Sequence, residues 1–234
     1  YFKPTAVDVC TFAGTFGQRV MVVAVATSGS GFNTNIALYG PNGGGAPTYT
    51  SADRLDYQLN ASGTWNIVIE DAGDDIAGGY TLSFVNVTAG PHSGSGETDG
   101  GVIVDNVPRN GSIYSVSDTD AYTFWGTAGM TANITATATS GTLNTQLALF
   151  PPNGLAAVQF TTADNVVPVL ATSGFYTLVI DDFNEDETGN YTVTVNTSFK
   201  YISIGSAPPF SPMPNAADGV AGVTQMRQHT RMPS

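Results

Sequence analysis

Short stretches of apolar residues, separated by turn-forming residues, recur along the whole chain. Between residues 130 and 138, the polar Asn133, Thr135 and Thr137 alternate with apolar residues, as in a strand with one wet and one dry face. Similar stretches rich in β-branched and aromatic residues are Gln18–Ala26, Asn66–Ile69, Tyr80–Val87, Tyr176–Ile180 and Tyr191–Asn196. Gly, Pro, Asn and Asp clusters separate them, and no amphipathic helix stands out. This pattern predicts an all-β protein with the strand spacing of a sandwich.

The chain contains an internal repeat. Residues 33–43 read NTNIALYGPNG, and residues 144–154, 111 positions later, read NTQLALFPPNG. One single-residue gap upstream extends the match over most of both repeats. The repeat predicts a tandem duplication. The expected organisation is a domain at 1–88, a linker at 89–98, a second domain at 99–199, and a Pro-rich linker with an extended C-terminal tail at 200–234.

Equivalent positions in the two repeats predict which large side chains are buried. Leu38 and Leu149 occupy the same position of the shared motif and are expected in the two cores. Trp65 aligns with Tyr176 after a Ser-Gly turn, so both are expected to be core aromatics. Trp125 has no aromatic counterpart in the first repeat, which makes it the better candidate for an exposed contact residue.

Composition argues against several functions. The net charge is −12, which repels phosphate backbones, so we expect no nucleic-acid binding. No apolar run approaches the roughly 18 residues of a membrane helix, so no membrane insertion is expected. Lys3 and Lys200 are the only lysines, Thr and Asn are abundant, and the chain opens at Tyr1. We expect an exported protein, processed or a fragment of a longer repeat protein, located outside the cell or on its surface.

The residues for catalysis are scarce. His92 and His229 are the only histidines and lie outside both repeats, and no G-x-S-x-G motif occurs. Cys10 aligns with Tyr122 on a strand, and it is expected to be a small buried substitute rather than a nucleophile. The sequence therefore predicts a protein that is not an enzyme and requires no cofactor.

Acidic residues cluster in two equivalent loops, IEDAGDDIAGG and IDDFNEDETGN. Calcium needs six to eight oxygen ligands, which dense carboxylates and nearby carbonyls supply. The alternative is a solvated acidic loop that keeps the protein soluble. The candidate calcium ligands are Asp71, Asp74, Asp75, Asp181, Asp182, Glu185 and Asp186, with Asp118 and Asp120 as a weaker third group.

Six N-x-[ST] sequons are candidates for glycosylation, although several are expected by chance in a chain so rich in Thr and Asn. They are Asn60, Asn86, Asn110, Asn133, Asn190 and Asn196.

The order of the motifs resembles a known family. Both repeats contain D-x-[CY]-T-F, a Gly, an alternating strand, N-T-x-[IL]-A-L-[YF]-x-P-N-G, S-G-x-[WY]-x-[IL]-V-I and G-x-Y-T-[LV]. This arrangement is similar to the bacterial pre-peptidase C-terminal domain and covers most of residues 1–199. The resemblance implies a jelly-roll-like antiparallel sandwich, secretion, and a non-catalytic role beside secreted hydrolases or on cell surfaces. Some members of the family bind calcium or extracellular polymers.

The two ends of the chain suggest an assembly. Repeat two is preceded by Asp99–Asp120, which contains an expected opening strand, whereas Tyr1 already corresponds to Ile113. The tail Asp218–Ser234 has about the length that repeat one lacks, and it aligns with the opening segment at 119 positions. We expect its stretch Val220–Met226 to add as a strand beside Phe12 of a neighbouring copy. The expected contact residues are Val220, Val223, Met226, Arg227 and Arg231.

A tail that fills this gap in the next copy makes a head-to-tail contact, which propagates as a filament unless a ring closes. The sequence therefore favours a non-catalytic extracellular structural protein, a homopolymeric subunit of a surface filament or sheath. The alternative is an accessory module of a secreted hydrolase that binds calcium, a polysaccharide or a protein polymer. A tail that folds back on its own domain also remains open at the level of sequence.

Overall fold

The computed structural model describes residues 7–41, 48–89 and 99–199. These residues form sixteen β-strands and no α-helix, which confirms the all-β prediction. Within the same residues, no helix is long and apolar enough to cross a membrane. Both repeats belong to one structural unit.

The first repeat forms two facing antiparallel sheets. Its strands are β1 (Asp8–Gly14), β2 (Arg19–Ser28), β3 (Thr34–Tyr39), β4 (Thr48–Thr50), β5 (Arg54–Gln58), β6 (Gly63–Asp71) and β7 (Gly79–Asn86). Sheet A has the order β1-β6-β3-β4, and sheet B has the order β5-β2-β7. Alternate side chains of the two sheets meet in one core that includes Val22, Ile36 and Trp65.

The second repeat forms a larger sandwich. Its strands are β8 (Gly101–Val102), β9 (Arg109–Ile113), β10 (Asp120–Gly126), β11 (Met130–Ala138), β12 (Thr145–Phe150), β13 (Gln159–Thr161), β14 (Asn165–Val166), β15 (Gly174–Asp182) and β16 (Gly189–Phe199). Sheet C has the order β13-β12-β15-β10-β8, and sheet D has the order β14-β11-β16-β9. Tyr122, Ile134 and Leu147 lie in its core.

Seven strands correspond between the sandwiches in both order and register. Phe12 on β1 faces Trp65 on β6, and at the equivalent place Phe124 on β10 faces Tyr176 on β15. The corresponding pairs are β1 with β10, β2 with β11, β3 with β12, β4 with β13, β5 with β14, β6 with β15 and β7 with β16. The expected burial of Leu38, Leu149, Trp65 and Tyr176 is confirmed, since all four are at most 2% exposed.

Strands β8 and β9 have no counterpart among residues 7–41 and 48–89. Strand β8 pairs in parallel with β10, and the backbone N–H of Ile103 continues this pairing by donating to the carbonyl of Thr123 at 2.9 Å. Strand β9 pairs antiparallel with β16. The described part of the first sandwich therefore has nothing beside the equivalent strands β1 and β7.

The prediction that Cys10 is buried is wrong. Its thiol is exposed, whereas the aligned Tyr122 is fully buried. Tyr122 lies in a core cluster with Ile103 and Ile113, which the segment around β8 and β9 contributes. Because no described strand covers the same side of the first sandwich, the equivalent position on β1 stays accessible.

The two sandwiches pack against each other through sheet B and sheet C. One apolar cluster joins the outer faces of both sheets, namely Met21, Val23, Val25, Val85 and Val87 with Ala121, Ala148, Phe150 and Val179. This contact explains why β2 is buried on both faces and reads as a nearly continuous apolar run. It buries the outer face of a sheet that alternation alone would leave in water.

Candidate functional site: the open edge of the first sandwich

Strand β1 leaves part of the core of the first sandwich accessible. The inward-facing Cys10 is exposed and Phe12 is half-buried. Their equivalents on β10, Tyr122 and Phe124, are 0% and 4% exposed. The difference follows the presence of β8 beside β10, because an edge strand without a neighbour leaves its backbone groups and inward side chains in contact with water.

Strand β7 shows the same contrast. Tyr80, Leu82 and Phe84 pack against the core but remain partly exposed. Their equivalents Tyr191, Val193 and Val195 on β16, where β9 pairs, are all 0% exposed. The rings of Phe12 and Phe84 lie 4.6 Å apart, so the two edges are continuous in space. We call Cys10, Phe12, Tyr80, Leu82 and Phe84 the open edge.

A tyrosine–aspartate hydrogen bond occurs at the same place in both sandwiches. The hydroxyl of Tyr191 donates to Asp120 at 2.6 Å and lies 3.0 Å from the hydroxyl of Tyr122. At the open edge the hydroxyl of Tyr80 donates to Asp8 at 2.9 Å. Burial, together with the bond to Asp8, raises the pKa of Tyr80 to about 12. Burial and the charge of Asp120 raise the pKa of Tyr191 well above its ordinary value.

Strand β9 fits closely over this tyrosine pair in the second sandwich. A Cβ at Gly111 would lie 2.3 Å from the hydroxyl of Tyr191 and 2.8 Å from that of Tyr122. Glycine at this position therefore lets the strand approach the phenols directly. In the first sandwich Cys10 replaces Tyr122, so the side chain that the covering strand would meet there is much smaller.

One aspartate at the same aligned position in each acidic loop, Asp71 or Asp182, accepts hydrogen bonds from the backbone of its own loop. Asp71 accepts backbone N–H bonds from Asn33, Gly73, Asp75 and Ile76, and these bonds lower its pKa, with Asn33 contributing most.

The equivalent Asp182 accepts backbone N–H bonds from Asn144, Asp186 and Glu187 at 3.0–3.2 Å. These carboxylate oxygens hold the turn between two strands. The two weaker candidates, Asp118 and Asp120, likewise accept hydrogen bonds within the protein. Asp118 accepts from the backbone of Tyr114 at 2.7 Å, and Asp120 accepts from Tyr191.

Two other acids of the second loop face an arginine of the first sandwich. Arg54 forms ion pairs with the buried Asp181 and with Glu185, the latter at 3.2 Å. Gln146 also donates to Asp181, at 3.3 Å. Burial raises the pKa of Asp181 to about 7 against the opposing effect of Arg54, and burial likewise raises the pKa of Glu185. The guanidinium also lies over the ring of Phe160, 5.6 Å from its centroid.

These partners change how the calcium candidates are interpreted. Asp181 and Glu185 are paired with the guanidinium of Arg54, and Asp71 and Asp182 accept hydrogen bonds from backbone N–H groups. Asp74, Asp75 and Asp186 are exposed. Over the described ranges, no three His, Cys, Asp or Glu residues are grouped so as to hold a metal ion. Calcium binding stays a prediction of the sequence.

The glycosylation candidates differ in accessibility. Asn86 is only 5% exposed, its amide donates to Gln18, and its side-chain oxygen accepts from the backbone of Thr88 and Ala89. A glycan at Asn86 does not fit this arrangement, so that prediction is corrected. The accessible sequons are the exposed Asn60, Asn110, Asn133 and Asn190 and the half-buried Asn196.

The exposure expected of Trp125 is confirmed. Its side chain is 56% exposed and meets the 59% exposed Phe175 edge to face, with ring centroids 5.2 Å apart. Val102 on the neighbouring strand β8 and Val104, two residues beyond that strand, are exposed as well.

The tail residues predicted to make the subunit contact lie outside the described ranges. The two histidines and two lysines of the chain also lie there. The residues in question are Val220, Val223, Met226, Arg227 and Arg231, then His92, His229, Lys3 and Lys200.

Sequence reasoning missed the Arg54 contact and the packing of sheet B on sheet C. A signal was present: the stretch VMVVAVA is apolar at every position, whereas the equivalent strand β11 alternates with Asn and Thr. A strand of continuous apolar residues is typical of burial on both faces.

Comparison with known proteins finds similarity to solved structures. No protein-family model matches the chain, and no curated protein matches it. Among solved structures, a periplasmic inhibitor of g-type lysozyme from Aeromonas hydrophila is 19% identical, with a TM-score of 0.36, over 43% of this chain and 96% of its own. Its counterpart from Salmonella Typhimurium is 18% identical, with a TM-score of 0.33, over 43% and 99%.

A third similar structure is the pre-peptidase C-terminal domain of a collagenase from Bacillus anthracis. It is 17% identical, with a TM-score of 0.35, over 44% of this chain and all of that domain. Each of the three is an entire small protein or domain that matches less than half of this chain. At these identities and TM-scores the similarities carry no information about function.

Proposed function

We propose that this protein is a non-catalytic structural subunit of an extracellular or cell-surface assembly. In this proposal, the C-terminal segment of one copy completes the first sandwich of the next copy by adding a strand to the open edge. The scarcity of lysine and the acidic, Thr- and Asn-rich composition support a location outside the cell.

One observation supports the proposal more than any other. The same fold occurs twice in the chain, once with covering strands and once without them in the described residues. Where β8 and β9 are present, Tyr122 and Tyr191 are fully buried; where no counterpart is described, Cys10 is exposed and Tyr80 is only partly buried. The second sandwich thus serves as an internal reference for the first. A segment that occupies the same place would bury the apolar side chains of the open edge.

The C-terminal tail is the segment of this chain that suits the place. With an offset of 119 residues, Gly101–Val107 aligns with Val220–Met226, so Val220 takes the position of Gly101. Gly101 lies opposite Tyr122, the equivalent of Cys10, and the tail strand would therefore place Val220 opposite Cys10.

The energetics favour such a joint. Each main-chain hydrogen bond contributes roughly 0.5–1.5 kcal/mol net, and a fully buried Val or Met side chain contributes about 1.5–3 kcal/mol. In this register Val220 takes the half-buried position of Gly101, whereas Val223 and Met226 take those of Val104 and Val107, which are exposed. Main-chain pairing and the burial of Val220 and of the open edge itself therefore supply most of the gain. Ordering the tail opposes these gains, because each immobilised residue loses conformational freedom.

The geometry of the joint determines the form of the assembly. Donor and acceptor are different surfaces of the subunit, so the contact is heterologous and builds a chain of copies unless a ring closes. Arg227 and Arg231 face a body with a net excess of acids, and their attraction assists association. That attraction weakens at high salt, whereas strand pairing and apolar burial persist.

The test is to remove the donor. We expect a variant truncated after Pro214 to stay monomeric, while the full-length chain forms filaments visible by negative-stain electron microscopy. The matched control is Arg227→Gln with Arg231→Gln, which keeps the apolar residues and should still form filaments in high salt. Filaments of normal appearance from the truncated variant would contradict strand donation. A synthetic peptide with the tail sequence, added to the full-length chain, should also prevent filament formation, because it occupies the open edge. Filaments that form normally in the presence of this peptide would contradict strand donation too.

A second candidate function has its own supporting observation. The exposed pair Trp125 and Phe175 forms an aromatic surface next to Val102 and Val104. Such a surface suits contact with an extracellular polysaccharide or protein polymer, the role of an accessory module. Trp125→Ala should then abolish co-sedimentation with insoluble polysaccharide or collagen without changing thermal stability. Absence of co-sedimentation by the unaltered chain would exclude this role for the polymers used.

A further inference from the structure

The contact between the two sandwiches has a defined receptor on the outer face of sheet C. Its apolar centre consists of Ala121, Ala148, Phe150 and Val179, against which the aliphatic outer face of sheet B packs. At its margin the guanidinium of Arg54 contacts Phe160 and pairs with Asp181. Gln146 donates to the same carboxylate. The receptor therefore combines an apolar sheet surface with a binding site for one arginine, which we call the arginine seat: the ring of Phe160 and the carboxylate of Asp181.

The outer face of sheet A repeats this receptor residue by residue. The strands of sheet A pair in the same register as those of sheet C. In sheet A, Val9 and Ala37 both lie opposite Val68. In sheet C, Ala121 and Ala148 both lie opposite Val179. The equivalent residues are Val9 for Ala121, Ala37 for Ala148, Tyr39 for Phe150, Val68 for Val179, Tyr49 for Phe160, Asn35 for Gln146 and Glu70 for Asp181.

The polar contact of the arginine seat is conserved between the two faces. The amide of Asn35 donates to Glu70 at 2.9 Å, as the amide of Gln146 donates to Asp181 at 3.3 Å. On sheet A, a surface recess of about 450 Å³ lies beside this pair. It is lined by Asn35, Tyr49, Thr50, Ser51 and Ala72. Its lining thus includes the equivalents of the amide and the aromatic ring that surround the Arg54 site.

The surface of sheet A is apolar where it corresponds to the covered part of sheet C. Val9 is 56% exposed, Tyr49 is 71% exposed and Tyr39 is 39% exposed. By contrast, the exposed face of sheet D carries Asn133, Thr135 and Thr137 on its strand β11. An uncovered sheet face that keeps large apolar residues indicates a contact surface.

We infer that the outer face of sheet A is a second docking face, which receives another β-sandwich module through an aliphatic sheet face bearing an arginine placed as Arg54 is. The guanidinium enters the recess between Tyr49 and Glu70. Sheet B of a second copy does not provide this face, because sheet C of the same copy covers it, and sheet D is polar there. The occupant is a further sandwich module of the first-repeat type. This contact uses the face of sheet A, whereas strand donation uses the edge of β1.

The inference is tested by giving sheet D the residues of sheet B in a donor variant. The equivalent positions call for Asn133→Met, Thr135→Val, Thr137→Val, Asn165→Arg, Asn196→Val and Ser198→Val. The donor also carries Val68→Asp, which blocks its own sheet A. The unaltered full-length chain is the acceptor, and acceptor with Val68→Asp is the matched control. Affinity is measured by sedimentation of the labelled donor.

We expect the donor to bind the unaltered acceptor at least tenfold more tightly than the Val68→Asp acceptor. Restoring Asn165 in the donor, or introducing Glu70→Arg in the acceptor, should each weaken binding at least tenfold. Strand donation is the same in all acceptors, so it does not produce these differences. Equal binding to the native and Val68→Asp acceptors, or no binding by a donor with a normal thermal transition, would overturn the inference.

A second measurement serves where the donor does not fold. N-acetyl-arginine amide, titrated into the unaltered chain, should shift the NMR signals of Asn35 and Ala72, and Glu70→Gln should abolish these shifts. N-acetyl-lysine amide should cause smaller shifts, because an ammonium does not stack on a ring as a guanidinium does. Absence of arginine-dependent shifts, or their persistence in Glu70→Gln, would overturn the assignment of the recess.

Discussion

Arg54 shows how one residue can join two copies of a fold. It is one of seven basic residues in a chain with nineteen acids, and it reaches from β5 of the first sandwich to Asp181 and Glu185 of the second. A buried ion pair of this kind stabilises little on its own, because desolvation offsets the attraction, but removing one partner leaves a buried charge. We therefore expect this pair to contribute more to how the two sandwiches are placed against each other than to their stability.

The raised pKa of Asp181 predicts a pH dependence of stability. Because its folded pKa, about 7, exceeds its ordinary value of 3.8, the folded chain binds a proton more strongly than the unfolded chain. The free energy of unfolding should therefore fall as the pH rises from about 4 to about 7, by at most about 1.4 kcal/mol per pH unit for this group. The raised pKa of Glu185 acts in the same direction.

Urea unfolding at pH 5, 6, 7 and 8 measures this dependence. In Asp181→Asn the side chain stays uncharged, so most of the slope should disappear. The matched control is Glu70→Gln, which removes the equivalent acid from sheet A, and it should leave the slope unchanged. A slope in Asp181→Asn equal to that of the unaltered chain would assign the dependence to other groups.

At the scale of strands, the alternation of side chains determined most of what could be predicted. The sandwich, its duplicated motif and the buried positions of Leu38 and Trp65 follow from local pattern and turn residues. The contact between sheets B and C does not, since it depends on which outer faces meet. The exposure of Cys10 depends on whether another strand pairs with the edge of β1, and an aligned position within a strand does not reveal that.

Two equivalent strands give a matched test of the contact between the sandwiches. Val23 on β2 is buried against sheet C, whereas Thr135 on β11, its equivalent, faces outward from sheet D and is half-buried. Val23→Asp should lower the free energy of unfolding by roughly 3 kcal/mol or more, because it buries an unpaired charge. Thr135→Asp should change it by about 0.5 kcal/mol or less. Similar losses in the two variants, measured by urea unfolding, would argue against a buried contact at sheet B.

For the whole molecule, the structure presents two different kinds of surface. Among the described strands, none pairs with the outer edges of β1 and β7 at the open edge, and the outer face of sheet A repeats the residues of the sheet C receptor. The acidic loops, by contrast, are tied to backbone N–H groups and to Arg54. The assembly we propose rests on the open edge alone, so it must be tested there.

The lone cysteine of the chain makes that test direct, because Cys10 is exposed on β1 at the open edge. In the proposed register Val220 lies opposite it, within the Cα separation of about 4.4–6.8 Å that a disulfide needs. Oxidised Val220→Cys protein should give a ladder of covalent multimers on a non-reducing gel. Val223→Cys, displaced by about 10 Å along the strand, should give no ladder, and Val220→Cys with Cys10→Ser should give dimers at most. A Val220→Cys sample that stays monomeric, whether uncrosslinked or closed within one chain, would contradict the account.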